Sequence, residues 1–435
     1  MARKMKDSSI EWIGEIPEGW EVAPVRSCFD EVRTKNTDGE EQNALQFKSG
    51  NIISKANFNA GTDDYVADTI TNYTVVLPDT VMINGLNLNY DFKSLRVALV
   101  KEKGVITSAY LAIFPDRKKI FPQYATYLFK GYETKMAFHN MGAGIRKTLG
   151  YKEFKNQPLL LPSKEEQNKI SAYLDSKCSE IDAMLSKTRT SIEEYKKLKQ
   201  AVITQAVTKG VRGEREMKPT DFTRWSEIPF DWDLKRVKSC VASISSGLSA
   251  VTDDANSEES GKFVLRTSAV SSGFFVPTEV KPVLKSAVNR LICPVEPDTL
   301  IVSRMNTASM VGACAYVASN HPNTFLPDKL WKIKFLPSYH TKYMWYALNS
   351  VPAKSWFSEL ATGASSSMQN ISINDFTSNY LPIPAFSEQK EIAAYLDAKC
   401  AEIDKLIAKK EQLVKELESY KKSLIYEVVT GKREV

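Results

Sequence analysis

Apolar residues in the last fifty positions recur in alternating steps of four and three. Ile392, Leu396, Ile403, Leu406, Leu413, Leu417, Tyr420 and Leu424 share one seven-residue series, and Lys399 and Lys410 fill its other places. A heptad pattern sustained from Glu388 to Thr430, with no Gly or Pro inside it, predicts a long coiled-coil helix. Ser387, after Pro384, is the expected N-cap. The pattern occurs a second time, 222 positions earlier and without a gap. Glu166-Gln167, Ile170, Tyr173-Leu174-Asp175, Lys177-Cys178 and Glu180-Ile181-Asp182 align with Glu388-Gln389, Ile392, Tyr395-Leu396-Asp397, Lys399-Cys400 and Glu402-Ile403-Asp404. The earlier seam reads Ile170, Leu174, Lys177, Ile181, Met184, Thr188, Ser191, Tyr195, Leu198 and Val202, behind a capping box Ser163-x-x-Glu166. Two matched helices, separated by a block long enough to let the chain return, predict antiparallel pairing within one chain.

The remainder of the chain is duplicated too. Glu15-Ile16-Pro17 and Trp20 correspond to Glu227-Ile228-Pro229 and Trp232, and Val25, Ser27 and Cys28 to Val237, Ser239 and Cys240. Between each Trp motif and its helix lies a more variable block. Short β-rich runs such as Val105 to Phe114 and Thr299 to Ser303 alternate there with Pro, Gly and Asn. Helical patterns follow near Gln123 to Phe138 and His340 to Phe357. The expected fold is α+β: two globular α+β domains, joined by two long antiparallel coiled-coil helices in a pseudo-two-fold tandem duplication. The expected segments are 1–158 and 211–380 for the domains and 159–210 and 381–435 for the helices.

Composition narrows the class only a little. The 435 residues carry a net charge of +6, which permits nucleic-acid binding without requiring it. No apolar run approaches the roughly 18 residues of a membrane span, and the N-terminus does not read as a secretory leader. The six cysteines form no CxxC pair, and four of them are repeat-related: Cys28 with Cys240, and Cys178 with Cys400. That usage suits small buried residues in a reducing cytoplasm better than a disulfide or zinc framework. No GxxxxGK[ST], HExxH or GxSxG occurs, and His139, His321 and His340 do not repeat. Glu279-Val280-Lys281 with Asp254 imitates a nuclease arrangement, but in one half only. A duplicated scaffold without duplicated catalytic residues argues for binding.

The tandem arrangement, the Glu-Ile-Pro-x-x-Trp opening, and Pro-x-x-x-Glu-Gln-x-x-Ile-x-x-Tyr-Leu-Asp leading into a heptad helix together resemble the specificity subunit of type I restriction-modification enzymes. The likeness covers essentially the full length, down to Thr430-Gly431-Lys432; the first copy departs slightly, ending Thr208-Lys209-Gly210. The resemblance implies a non-catalytic, cytoplasmic subunit that binds double-stranded DNA. Each variable block would be a target-recognition domain reading half of a bipartite sequence. The helices would space the domains and dock methyltransferase subunits. The resemblance implies no cofactor on this chain: S-adenosylmethionine would sit on the methyltransferase partners, and ATP and Mg on a restriction (motor) subunit. Ile392 to Leu424 is about 50 Å of helix at roughly 1.5 Å per residue, or some 15 base pairs at about 3.4 Å each.

Base edges are read by Arg, Lys, Asn and Gln on loops, and phosphates by Lys, Arg, Ser and Thr. In the first block the candidates are Lys48, Asn51, Asn84, Asn87, Asn89, Arg96, Arg146 and Lys147; in the second they are Arg266, Ser303, Arg304, Asn306, Ser366, Ser367 and Gln369. Two other readings stay open on the sequence: a coiled-coil structural or protein-interaction scaffold without DNA specificity, and an enzyme whose site carries no recognised motif.

Overall fold

The computed structural model describes residues 3–55, 70–92, 95–144, 147–249, 259–365 and 368–435. The chain folds as two units, Met1–Arg189 with Glu411–Val435, and Thr190–Lys410. Each long helix, Lys164–Lys209 and Phe386–Val429, therefore gives one part to each unit.

In the first unit the apolar runs pair into an antiparallel sheet in the order Phe29–Glu31, Leu111–Pro115, Val81–Ile83, Val97–Leu99. Val81–Ile83, Val97–Leu99 and Leu111–Pro115 are covered on both faces, so they read as continuous apolar stretches instead of alternating ones. Val81, Ile83, Leu111 and Ile113 join one core with the helix Pro122–Thr134, which starts on Pro122 and buries Tyr124, Leu128, Phe129 and Tyr132. Met82 and Ala112 point the other way, toward Leu45, Val76 and Ile106.

The second unit repeats this plan. Its sheet runs Val241–Ser246, Leu330–Phe335, Thr299–Ser303, Cys314–Val317, with the helix Thr341–Leu348 on one face. Its other face meets an additional sheet in which Glu259–Leu265 pairs in parallel with His321–Phe325. In both units the chain enters and leaves through one antiparallel pair: Glu21–Pro24 with Pro158–Leu161, and Asp233–Arg236 with Tyr380–Ile383. All six cysteines are buried and unpaired.

The helices pair antiparallel within each unit. In the first, Lys421 Nζ lies 2.6 Å from Asp182 and Arg189 pairs with Glu418. In the second, Lys199 Nζ lies 2.6 Å from Asp404, and Lys410 stands 5.7 Å from the Tyr195 ring. The seam differs from the expected one at every second position. Cys178, Leu185, Ile192 and Lys199 are buried in place of Lys177, Met184, Ser191 and Leu198. On the second helix Cys400 is buried and Ile407, Val414 and Lys421 are half-buried, whereas Leu406, Leu413 and Tyr420 are exposed. Both series share Leu396, Ile403, Lys410, Leu417 and Leu424, so a four-three step and a three-four step fit the sequence equally well. The adopted phase buries Leu185 and Ile192 and half-buries Ile407. It also brings in Lys199 and Lys421, whose long stems carry their charges out to Asp404 and Asp182.

Two helix starts also differ from expectation. The second helix begins at Phe386, so Ser387 lies in its first turn and does not cap it. Ser163 Oγ accepts the Glu166 N–H at 3.3 Å, but the Glu166 carboxylate turns to Trp20 instead of closing a capping box. Within the first unit the end of the second helix returns to the opening motif. Tyr426 Oη donates to the Trp12 carbonyl at 3.0 Å. Gly431, at φ +71, ends the helix so close to Pro17 and Trp20 that a Cβ would overlap Pro17.

Candidate nucleic-acid interface

The repeated motif residues lie at the joint between each globular block and its helix. Trp20 Nε1 donates to Glu166 at 2.9 Å, Arg3 pairs with the same carboxylate at 2.5 Å, and the Arg3 guanidinium sits 5.5 Å from the Trp20 ring centre. In the second unit Trp232 Nε1 meets Glu388 at 3.2 Å, Arg215 pairs with it at 2.5 Å, and Arg215 lies 5.6 Å from the Trp232 ring. Gln167 accepts the Phe121 N–H and donates to the Lys119 and Pro162 carbonyls; Gln389 does the same with His340, Ser338 and Pro384. Tyr127 and Tyr346 donate to Asp175 and Asp397 at 2.7 and 2.9 Å. Burial and these carboxylates push both phenols well above their usual range. These side chains are occupied within the joint, so a readout surface has to be sought in the variable blocks.

Glu388 is the more deeply enclosed of the two joint carboxylates, its side chain 2% exposed against 25% for Glu166. Removing Glu388 leaves the buried Trp232 N–H without its acceptor and strips Arg215 of one of its two carboxylates, Asp231 remaining at 2.7 Å. Glu388→Ala is expected to destabilise the second unit by about 3 kcal/mol, and Glu166→Ala to cost the first unit clearly less. Thermal unfolding of the two variants side by side checks this; equal shifts would count against it.

In the first unit three segments converge. The hairpin Leu45–Lys48/Asn51–Ser54 carries exposed Lys48 and Asn51 at its tip, where Gly50 lies directly against Leu95. The segment 84–92 follows the buried strand Val81–Ile83. A short hairpin, bridged between Ala143 and Thr148, closes on that segment through Leu88 N–H to Lys147 O (3.2 Å) and Leu149 N–H to Gly85 O (2.9 Å). Gly85 permits this approach, since a Cβ there would stand 2.4 Å from the Leu149 carbonyl oxygen. Asn87 and Lys147 are exposed on this surface, and Asn84 and Asn89 are half-buried. Arg146 lies outside the described residues.

Arg96 does not reach outward as expected. It is 1% exposed, and its guanidinium donates to the carbonyls of Asn84 (2.9 Å), Leu86 (2.8 Å) and Asp91 (2.5 Å), with the Asp91 carboxylate 3.6 Å away. Its backbone N–H donates to Glu133. Burial raises the Glu133 carboxyl to about 7, against the opposing pull of that N–H and of Lys130. Arg96 is thus the support beneath the 84–91 segment. Nothing in the sequence marks it as different from a surface arginine.

The second unit has the corresponding arrangement. Met305–Asn306 pairs with Met368–Asn370, placing Asn306 opposite Gln369, and Thr362–Ser365 completes the small sheet. Asn306 Nδ2 donates to Ser271 Oγ at 2.9 Å, which ties this sheet to the segment beginning at Arg266. Arg266 is exposed, with Nε 3.1 Å from the Val280 carbonyl; Arg304 and Gln369 are half-buried. Ser303 departs from expectation: it is fully buried and its Oγ donates to the Met305 carbonyl at 3.1 Å. Ser366 and Ser367 lie outside the described residues.

The two surfaces share a turn. Tyr90 and Asp91 N–H both donate to the Asn87 carbonyl (3.1 and 3.0 Å), as Met310 and Val311 N–H do to that of Thr307 (3.0 and 2.9 Å). Tyr90 and Met310 do not belong to the Arg, Lys, Asn, Gln, Ser and Thr set that reads base edges and phosphates. Their signal was an apolar residue within a polar, turn-forming run. Among the described residues no group of three or more His, Cys, Asp and Glu is arranged to hold a metal, and no helix is long and apolar enough to cross a membrane.

Residues 229–416 match the family described as the type I restriction modification DNA specificity domain. Over 437 aligned residues the chain is 23% identical to a putative type I restriction enzyme MjaX specificity subunit of Methanocaldococcus jannaschii, covering 97% of this chain and 95% of that one. It is 22% identical to the EcoKI specificity subunit of Escherichia coli K12, over 87% of this chain and 82% of the relative. Its fold is similar to that of a chain in a structure of a type I R-M system titled for its complex assembly and conformational transition. The TM-score is 0.68 at 14% identity, covering 96% of this chain and 99% of the other.

Proposed function

We infer that this chain, whose residues 229–416 match the type I DNA specificity domain and whose length as a whole is similar to type I specificity subunits, is the DNA-recognition subunit of a type I restriction-modification enzyme. The observation that carries the reading is a polar loop-and-hairpin surface built twice, at equivalent places on a duplicated scaffold. Each surface reads one half of a bipartite target in double-stranded DNA. Lys48, Asn51, Asn84, Asn87, Asn89 and Lys147 serve the first half; Arg266, Arg304, Asn306 and Gln369 serve the second. Arg146, Ser366 and Ser367 are proposed for the same role on their residue types alone. Methyl transfer, ATP use and cleavage belong to partner subunits. The test is methylation-sensitive sequencing of host DNA with and without this chain. A two-part motif that disappears with the chain supports the reading, and an unchanged methylome removes it.

The helices supply the partner face. In the first unit Arg189 and Glu418 pair across one flank of the helix seam. Met184, Leu413 and Tyr420 occupy the positions just before seam residues and are exposed. In an antiparallel pair those positions on both helices border the same flank, the one opposite the ion pair. An apolar strip beside a coiled-coil seam suits further helices packing by the same knobs-into-holes rule. Methyltransferase subunits dock there in this reading. The double variant Leu413→Asp/Tyr420→Asp is expected to reduce co-purification with the methyltransferase by at least about tenfold, with the unfolding temperature shifted little because both side chains stand outside the buried seam. Retained co-purification would place the docking face elsewhere.

A further inference from the structure

We propose that Tyr90 is a specificity-determining contact of the first surface, packing its ring against the 5-methyl group of a thymine, and that Met310 holds the same place in the second. The inference rests on the reading of these surfaces as DNA-reading. Tyr90 is 72% exposed and Met310 43% exposed. A single apolar side chain on a surface needs no explanation. Here the same turn position is apolar and exposed in both units, although the turns differ in sequence, Asn87-Leu88-Asn89-Tyr90 against Thr307-Ala308-Ser309-Met310.

The Tyr90 ring is also presented by a braced backbone. Arg96 holds three carbonyls of its segment from beneath. Phe92 stacks on His139, with ring centres 5.1 Å apart and planes 12° from parallel, and His139 Nε2 lies 3.1 Å from the Asp91 carbonyl. A backbone held this way loses little freedom on binding. On the same turn Asn87 is exposed, and exposed Lys147 is joined to it through its carbonyl and the Leu88 N–H; both suit phosphates and polar base edges. The apolar feature that base pairs offer in the major groove is the thymine methyl.

The experiment uses the full chain in complex with its methyltransferase subunits. Duplexes carry the motif found by methylation sequencing, with deoxyuridine replacing each thymine in turn. In the half-site that survives exchange of residues 230–375, one deoxyuridine should weaken binding about fourfold, the worth of one buried methyl group. In Tyr90→Ala that substitution should no longer matter, whereas Tyr90→Phe should keep the sensitivity. Met310→Ala should behave likewise in the other half-site, and retained sensitivity to base changes at the remaining positions of the same half-site serves as the control that the altered unit is folded. A half-site without thymine, or an unaltered deoxyuridine profile in Tyr90→Ala, overturns the proposal. Should Tyr90→Ala fold poorly, the same profile is read with Tyr90→Gln. If the wild-type complex has no two-part motif at all, the DNA-recognition reading fails, and not this contact alone.

Discussion

Exchanging residues 230–375 for the equivalent block of a relative is expected to change one half of the methylated sequence completely and leave the other half untouched. The expectation follows from where the chain spends its hydrogen bonds. Of the elements that join the second block to its helix, Glu388 and the strand Tyr380–Ile383 fall outside that exchange, whereas Trp232, Ser338, His340 and Tyr346 fall inside it. The residues proposed to read DNA, from Arg266 to Gln369, fall inside it. A block that brings its own Gln389 partners at the positions of Ser338 and His340 should therefore seat on the same helix. Motif assignment by methylation-sensitive sequencing decides the matter. A swap that altered both halves at once would mean that the two units read one continuous site together.

The second large effect is expected at Arg96. Arg96→Met keeps the volume of the side chain but leaves the carbonyls of Asn84, Leu86 and Asp91 without their buried donors. Such a loss costs about 3 kcal/mol or more. The segment should lose its fixed shape first, because three separate points of it are held by this one group. Binding to cognate DNA should fall by two orders of magnitude or so at about 1.4 kcal/mol per tenfold, with the loss confined to contacts of the first half-site. Hydrogen exchange across residues 84–92, beside an unchanged pattern in the second unit, would show the cause directly. Full affinity in this variant would make Arg96 a bystander.

The sequence carried the architecture well and the site only in outline. The duplication was legible because the same side chains, Trp20 and Trp232, Glu166 and Glu388, Asp175 and Asp397, perform the same bonding in both units, so the repeat survives where the joint needs it. The helix seam was legible in period but not in phase. Leu406 and Ile407 are neighbours and both apolar, and only packing against the partner helix decides which one is covered. Loop residues were the least legible. Asn87 and Lys147 are at the surface as expected, whereas Arg96 and Ser303 are of the same chemical types and are buried. A polar side chain's task depends on which carbonyls the fold brings near it, and no spacing rule records that.

The support beneath the first reading loop bears on how such a chain changes over generations. Arg96 grips main-chain carbonyls, and every residue type offers the same carbonyl. The exposed side chain at position 90 is therefore replaceable without disturbing the curve on which it is displayed. Substitutions at such exposed positions ordinarily shift stability by no more than about 0.5 kcal/mol. A lineage can thus rewrite what its loop says through single steps, each leaving a folded protein behind. The letters drift while the line they are written on stays straight.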